Sequence, residues 1–210
     1  MMKLAVVGSS GRLGRLIVSE AKQKGFSVYE VNRDTKESFF ECDVVIDASL
    51  PEGLSKSIAI AKSSKAALLV LSTGHSSLEN LPGDLPVCVA ANASFGIFLL
   101  KKLCNVLGQF GGDFELIETH HTLKKDKPSG TALMLKESLG ENTHITSIRG
   151  GTVPGEHEIR YFGEFEELRL IHRAEKRELF AVGALRLASI LAKKAPGRYT
   201  TEELFSSLLA

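Results

Sequence analysis

The stretch K-L-A-V-V-G-S-S-G-R-L-G, residues 3–14, sets the architecture of the first half of the chain. It begins with a short apolar run rich in valine and continues into a turn that holds three glycines. Leu13, Leu16 and Ile17 then recur at helical spacing. The stretch therefore predicts a buried strand, a tight turn and a helix.

The glycines Gly8, Gly11 and Gly14 form the pattern G-x-x-G-x-x-G between that strand and that helix. Glycines at such a turn let the backbone approach a pyrophosphate, and amides at the helix N-terminus stabilise its charge. The strand, turn and helix context favours a dinucleotide site over a turn that is merely structural.

The residues after the second predicted strand bear on the choice of cofactor. Sites for NAD usually carry an acidic residue about 20 residues beyond the glycines, where it binds a ribose hydroxyl. This chain has Asn32 and Arg33 there. Asparagine lacks the charge that repels a 2′-phosphate, and an arginine pairs with one. The loop favours NADPH or tolerance of both cofactors, unless Arg33 is simply a solvated loop residue.

Apolar runs alternate with helical patterns as far as Asn92. Strands that are apolar throughout and alternate with helices indicate a parallel sheet covered on both faces, which is an α/β architecture. The predicted strands span residues 3–7, 27–31, 43–47, 66–71 and 86–91, with a helix over residues 52–63 between the third and fourth.

Beyond Asn92 the pattern changes. Strand patterns that alternate between apolar and polar residues predict a half-exposed antiparallel or mixed sheet. Helices are predicted over residues 94–107, 129–139 and about 177–194, with a last one near Thr201, and strands over residues 114–119, 158–162 and 167–172.

The stretch E-T-H-H-T-L-K-K-D-K-P-S-G-T-A, residues 118–132, places two histidines and three lysines ahead of a helix start. His120 and His121 end a predicted strand, so their side chains should point to opposite faces. The hydroxyls and amides of Ser129, Gly130 and Thr131 are available to a carboxylate at the first turn of the helix. The stretch therefore predicts a site for a dicarboxylate-sized anion.

The same stretch is compatible with a solvated basic loop or with a zinc site. The lysines fit a solvated basic loop before a capped helix, and the histidines fit a zinc site completed by Glu118 or Asp126. Zinc is disfavoured because adjacent strand residues diverge and the chain has no H-E-x-x-H or cysteine ligand set, so we expect no metal. Among the remaining histidines, His157 stands apart because G-E-H follows a V-P-G turn.

Composition limits the class of protein. The 210 residues are 43% hydrophobic and carry a net charge of +1, which argues against a chain that mainly neutralises nucleic acid or anionic lipid. Cys42, Cys88 and Cys104 form no C-x-x-C pair, and from the sequence we expect neither a leader nor a membrane span. We expect a cytoplasmic protein that binds no nucleic acid and no membrane.

With these features in place, the chain resembles the dihydrodipicolinate reductase family over almost its whole length. The stretch of residues 118–132 is the most specific match. The others, in the family's order, are V-G-S-S-G-R-L-G, V-I-D-A-S-L-P-E-G, L-S-T-G, A-A-N-A-S-F-G, R-G-G-T-V-P-G-E-H-E and F-A-V-G-A-L.

The resemblance implies a fold and an activity. The fold is α/β, with a Rossmann-like parallel-sheet nucleotide-binding domain over residues 1–92 and 180–210. An inserted α+β domain over residues 93–179 binds substrate and builds a homotetramer. The activity is the NAD(P)H-dependent reduction of 4-hydroxy-tetrahydrodipicolinate to tetrahydrodipicolinate in lysine and diaminopimelate biosynthesis. The alternatives are an NADPH-sensing regulatory protein and a reductase of a related imine dicarboxylate.

The resemblance also implies roles for particular residues. His120 and Lys124 fall on catalytic acid positions, and which of the two delivers the proton stays open. Substrate binding falls to His121, Ser129, Gly130 and Thr131. The expected cofactor contacts are Gly8, Ser9, Ser10, Gly11, Arg12, Leu13, Asn32, Arg33, Leu71, Ser72, Thr73, Ala90, Ala91, Asn92 and Ala93.

Three cofactor positions depart from the family pattern. Leu71 begins L-S-T-G where G-T-T-G is usual, Ala93 stands where an aromatic residue is frequent, and Asn32 stands where an acid is common. These departures bear on cofactor affinity and preference, whereas the substrate stretch is intact.

Overall fold

The structure, a computed structural model, describes residues 1–75 and 78–209. The strands are β1 Lys3–Val7, β2 Ser27–Val31, β3 Val44–Asp47, β4 Ala67–Val70, β5 Pro86–Val89, β6 Asp113–His120, β7 His144–Arg149, β8 Glu156–Phe162, β9 Glu167–Arg173 and β10 Gly197–Tyr199. The helices are α1 Arg12–Gln23, α2 Leu54–Ser64, α3 Phe95–Phe110, α4 Gly130–Leu139, α5 Glu178–Leu191 and α6 Thr201–Ser206, with a short 3₁₀ turn at Pro51–Gly53. Two compact units contain these elements, Met1–Ser94 with Glu178–Ala210 and Phe95–Arg177.

The first unit is built on a six-stranded sheet in the order β10-β5-β4-β3-β1-β2, and all its pairs are parallel. Ala5, Val45 and Leu68 pack with residues of α2 on one face. Their neighbours along the strands, such as Val6 and Ile46, are also fully buried and point to the opposite face. Helix α5 packs against β3, β4 and β5, and α1 packs against α5. The predicted parallel α/β sheet is confirmed.

The second unit is built on a mixed sheet in the order β7-β6-β8-β9, in which β6 and β7 are parallel and the other pairs antiparallel. Helices α3 and α4 cover one face, where Ile97, Leu116, Leu135 and Ile159 form the centre of an apolar cluster. We call the other face the open face. It carries the exposed side chains of Ile148, Phe162 and Ile171.

The element predictions hold for type and fail at two short strands. The last helix begins where the acidic T-T-E-E stretch predicted it, because Thr200 and Glu203 form a capping box. Strands β7 and β10 were not predicted. Strand β10 has three residues, too few to show a period, and the H-I-T-S-I-R sequence of β7 contains only two large apolar residues.

Candidate active site

The glycine loop folds back on itself tightly. Gly8 has a φ of +80°, and a Cβ atom there would lie 2.7 Å from the carbonyl oxygen of Ala48. A Cβ atom on Gly14 would lie 2.1 Å from the carbonyl oxygen of Gly8. Both positions therefore require glycine, which leaves the loop backbone open to the close approach of a ligand.

The loop ends at the N-terminus of α1. Gly11 is the N-cap residue, and no side chain in the described part of the protein caps this helix. The first amides of a helix have no intrahelical acceptor, so this end is suited to a phosphate. The glycine loop and helix end together fit the pyrophosphate of a dinucleotide.

The end of β2 is tied to the glycine loop by a side-chain hydrogen bond. The hydroxyl of Ser9, which is buried, donates to Oδ1 of Asn32 at 2.6 Å. Lys56 supports the same segment from α2, because its Nζ donates to the carbonyl oxygens of Asn32 at 2.7 Å and Thr35 at 2.6 Å. The side-chain amide nitrogen of Asn32 is left to donate to a ribose or phosphate oxygen. Lys56 was not predicted from the sequence.

Asp47, at the end of β3, ties three segments together. Its buried carboxylate accepts hydrogen bonds from the hydroxyls of Ser57 at 2.9 Å, Ser49 at 2.5 Å and Ser72. Ser72 also lies 2.9 Å from Nε2 of His75. Asp47 thereby anchors one of the predicted cofactor segments, a role that its position in an apolar strand did not reveal.

The predicted cofactor residues lie at one edge of the first sheet. They follow β1, β2, β4 and β5, whose carboxyl ends share an edge because the strands are parallel. At the last of these segments, Ala90 donates its amide to the carbonyl oxygen of Val70 at 2.8 Å. Ala93 packs so closely on α5 that a Cβ atom on Gly183 would lie 1.8 Å from its carbonyl oxygen.

In the second unit, the covered face of β6 changes from apolar to polar along the strand. Leu116 belongs to the apolar cluster, whereas Glu118 and His120, two and four residues further on, are buried polar residues. Oε2 of Glu118 contacts Nδ1 of His120. Because a carboxylate only accepts, Nδ1 carries the hydrogen and Nε2 of a neutral His120 is an acceptor.

Glu118 is held ionised by its neighbours. The guanidinium of Arg149 donates from Nη2 to Oε1 at 2.8 Å and from Nη1 to Oε2 at 3.0 Å. The amide of Ser129 lies 3.3 Å from Oε1. Burial alone would raise the pKa of Glu118, but hydrogen bonds from Arg149 and His120 outweigh it and the pKa lies below its ordinary value.

Two histidines here are kept neutral. Burial lowers the pKa of His120 below its ordinary value, and the charges of Lys124 and Arg149 act in the same direction against Glu118. The ring of His157 meets that of His120 edge-on with 5.3 Å between centroids. Burial and the nearby His120 lower the pKa of His157 to about 3. Nδ1 of His157 has no hydrogen-bond partner among the described residues.

The lysine loop and the start of α4 complete this end of the sheet. Nζ of Lys124 lies 2.7 Å from both carboxylate oxygens of Asp126, and it lowers the pKa of Asp126. Ser129 is the N-cap of α4, since its hydroxyl accepts from the amide of Ala132 at 3.1 Å. A Cβ atom on Gly130 would meet no atom within 4 Å, so space adjoins the first turn.

His121 diverges from His120, as predicted, and lies with its Nε2 3.3 Å from Nη2 of Arg177. The structure therefore brings His120, Lys124 and Ser129 to one end of the β6 sheet. It adds Arg149, which the sequence did not single out because β7 was not predicted. His157, which was singled out, lies directly against His120.

Neither a metal cluster nor a membrane span is found in the parts that the structure describes. Residues 1–75 and 78–209 hold no group of three or more histidine, cysteine, aspartate or glutamate side chains placed to bind a metal ion. No helix within the same ranges is long and apolar enough to cross a membrane.

Comparisons with known proteins match both units. A family model described as dihydrodipicolinate reductase, N-terminus, matches residues 2–93, and one described as dihydrodipicolinate reductase, C-terminus, matches residues 96–205. The 4-hydroxy-tetrahydrodipicolinate reductase of Stenotrophomonas maltophilia is 35% identical, with 97% of each chain covered. The enzyme of the same name from Caldanaerobacter subterraneus subsp. tengcongensis is 32% identical, with 97% of this chain and 98% of that one covered.

A solved structure has the same fold. It is the dihydrodipicolinate reductase from Paenisporosarcina sp. TG-14 with dipicolinate bound. The TM-score is 0.81 at 18% identity, with 95% of this chain and 97% of that chain covered.

Proposed function

The chain belongs to the dihydrodipicolinate reductase family, and we propose how its own residues carry out the family's reaction. It is an oxidoreductase that reduces 4-hydroxy-tetrahydrodipicolinate to tetrahydrodipicolinate in lysine and diaminopimelate biosynthesis. The observation that carries the residue assignment is the cluster at the end of β6, where His120, Lys124 and the first turn of α4 meet.

The substrate binds to the first turn of α4 and the loop before it. The amides of Gly130 and Thr131 and the ammonium of Lys124 are suited to a carboxylate of the substrate, with Ser129 fixing the helix start and His121 assisting. Dipicolinate, which the Paenisporosarcina enzyme binds, is a stable dicarboxylate of similar size, and we propose that it binds to the same residues here.

Lys124 is the proton donor. A reduced nicotinamide, when bound, supplies the hydride, and the charge left on the substrate must then be protonated. His120 donates Nδ1–H to Glu118, and burial lowers its pKa, which favours the neutral ring. Its Nε2 therefore has no proton to give in the resting protein. We assign proton donation to the Lys124 ammonium. His120 orients the substrate and polarises it. A dianionic substrate would favour the protonated form of both groups.

The cofactor binds along the carboxyl ends of the strands of the first sheet. The glycine loop from Gly8 to Leu13 fits a pyrophosphate, as the close contacts at Gly8 and Gly14 indicate. The segments 71–73 and 90–93 then take the nicotinamide half. NADPH is the preferred form in this proposal, because Arg33 and Lys56 put positive charge beside position 32, where an asparagine stands in place of an acid that would repel a 2′-phosphate.

The two units take different roles. The first unit, predicted over residues 1–92 and 180–210, binds the dinucleotide, and the second, predicted over residues 93–179, binds substrate. We propose that the open face of the second sheet builds a homotetramer, since exposed Ile148, Phe162 and Ile171 lie on it. A cytoplasmic location is proposed because Cys42, Cys88 and Cys104 are all free thiols.

The test is oxidation of NADPH and of NADH by the purified protein. Substrate is generated in place from pyruvate and aspartate semialdehyde by a synthase, and reactions without synthase serve as the control. We expect oxidation that depends on the synthase product and is faster with NADPH. Binding of both cofactors with no oxidation would contradict the proposal and favour a cofactor-sensing protein, while turnover with a different imine dicarboxylate alone would change the substrate.

A further inference from the structure

We propose that Arg149 is a positioning residue that holds His120 and the Lys124 loop, residues 121–128, in one fixed arrangement. The proposal rests on the proposed function, because it concerns the same reductase site. Arg149 lies at the end of β7, beside the end of β6, and its side chain is 14% exposed. It touches neither the expected carboxylate site nor a reacting atom, so its effect on the reaction passes through other residues.

All five N–H donors of Arg149 have acceptors. Two donate to the carboxylate of Glu118, at 2.8 Å and 3.0 Å. The remaining three donate to backbone carbonyl oxygens, those of Ile148 at 2.7 Å, Lys124 at 3.3 Å and Asp126. A planar fork with five donors is specific to arginine, because the ammonium of a lysine has three and cannot bind a carboxylate in two places while it spans a loop.

One side of this fork acts on His120. Glu118 is fully buried and accepts from Arg149 and from Nδ1 of His120 with the same oxygen, Oε2. Arg149 thus fixes the carboxylate that fixes the histidine tautomer. Without the fork, Glu118 is free to turn, and His120 loses the acceptor that fixes the hydrogen on its Nδ1.

The other side of the fork acts on Lys124. The loop from His121 to Pro128 is rich in charge and contains Lys125 and Lys127 on the exposed side, so its conformation is not secured by apolar packing. Arg149 holds the carbonyl groups on both sides of Lys125, one of which belongs to Lys124 itself. The backbone that carries the Lys124 ammonium is therefore tied to the same guanidinium that orients His120.

The variant that tests the proposal is Arg149→Lys, which keeps the positive charge beside Glu118 and removes the fork. The matched control is Arg169→Lys. Arg169 makes the same two-point pair with Glu167, at 2.8 Å and 2.9 Å, but on the exposed edge strand β9. For each protein, kcat and the substrate KM are measured per NADPH-binding site, and the NADPH Kd is measured by fluorescence titration, so that misfolded protein is not counted.

We expect kcat of Arg149→Lys to fall about 100-fold, as displacement of a reacting group by about 1 Å does in other enzymes. The NADPH Kd should be unchanged, and Arg169→Lys should match the wild type. Wild-type kcat in Arg149→Lys would overturn the proposal, because charge alone would then suffice. A loss of kcat that follows the NADPH Kd would overturn it too.

Chemical rescue gives a second, independent result. In Arg149→Ala the cavity left by the side chain should admit free guanidinium ion, which restores part of the lost kcat in a saturable way, whereas ammonium at the same ionic strength does not. Equal effects of the two ions would overturn the proposal. If the wild type itself does not oxidise NADPH with the substrate, the proposed function fails instead, and the two failures are thereby distinguished.

Discussion

Lys124 and Lys125 are neighbours in one loop, but their surroundings differ. The ammonium of Lys124 lies against both oxygens of Asp126, and its carbonyl oxygen accepts from Arg149. Lys125 is exposed. A proton donor must be held in a defined position, so the difference in restraint separates the proposed acid from a residue of the same chemistry one position along.

Replacing Lys124 by alanine tests this assignment. We expect Lys124→Ala to lower kcat about 100-fold or more, the usual range for an acid-base group, without changing the NADPH Kd. Lys125→Ala is the matched control and should retain wild-type kcat. Similar turnover numbers for the two variants would mean that Lys124 is not the donor.

In the proposed site, Asp126 competes with the substrate for the Lys124 ammonium. A carboxylate of the substrate has to displace or share the Asp126 oxygens, which lie 2.7 Å from Nζ of Lys124. Asp126→Asn removes the competing charge and should tighten dipicolinate binding several-fold, because an opposite charge at this distance is worth about 1 kcal/mol at an exposed site. Calorimetric titration with dipicolinate measures the change, with Glu141→Gln, an exposed acid beyond α4, as the control. Weaker binding would show that Asp126 orients Lys124 for the substrate instead.

At the scale of the secondary-structure elements, the proposed binding sites lie at the ends of strands and at the starts of helices. The proposed cofactor segments follow β1, β2, β4 and β5, and the proposed substrate site follows β6 and precedes α4. In β1, β3 and β4 the strand interiors are buried apolar residues, so polar groups can face a ligand only where these strands stop.

The contact between α5 and the segment 90–93 gives a prediction about an element. Alanine normally favours a helix over glycine by about 1 kcal/mol. At Gly183, however, the added Cβ atom would lie 1.8 Å from the carbonyl oxygen of Ala93. We expect Gly183→Ala to lower the free energy of unfolding by about 1 to 3 kcal/mol, as overpacking does, and to weaken NADPH binding.

Urea denaturation measures this effect, and Gly83→Ala is the control. A Cβ atom on Gly83 meets no atom within 4 Å, so that variant should unfold like the wild type. A Gly183→Ala protein as stable as the wild type would mean that the segment moves aside at little cost.

Elements with a clear period were predicted from the sequence, whereas elements that are short or lack a period were missed. Strands β1, β3, β4 and β5 of the first unit were predicted because they are apolar runs between turn signals. Helix α4 was predicted from its Pro-Ser-Gly-Thr start. Strand β7 was missed, and Arg149 with it, because Ile145 and Ile148 are three residues apart and point to opposite faces.

At the scale of the whole molecule, a buried neutral histidine makes the free energy of unfolding depend on pH. His157 has its pKa lowered from 6.5 to about 3, chiefly by burial. Below its unfolded pKa the unfolded chain binds a proton that the folded protein does not, so stability falls as pH drops between those values. The slope for one such group is about 1.4 kcal/mol per pH unit.

The measurement is urea denaturation of the wild type and His157→Gln from pH 7 to pH 4. We expect the variant to lose less stability over this range, because its side chain does not titrate. His144→Gln is the control for loss of an imidazole, since His144 is exposed on β7. Glu118 contributes separately and at lower pH, because its pKa is lowered and its stabilisation is lost only as pH falls through that value. Parallel curves for wild type and His157→Gln would contradict the burial of a neutral histidine.

Local patterns in the chain were enough to establish the α/β class, the glycine loop and the family, and to predict a site at His120, Lys124 and Ser129 to Thr131 within one segment. These depend on periodicity and on motifs within one short segment. The distant side chains that support them became visible only once the chain was folded. Arg149 lies 31 residues from Glu118, and His157 lies 28 residues from Ser129. Those contacts follow from strand register, in which Glu118 pairs with Ser147 on one side and His157 on the other. A slip of one residue would turn each side chain to the opposite face. Which residues of these distant strands lie opposite one another is visible only in the folded sheet.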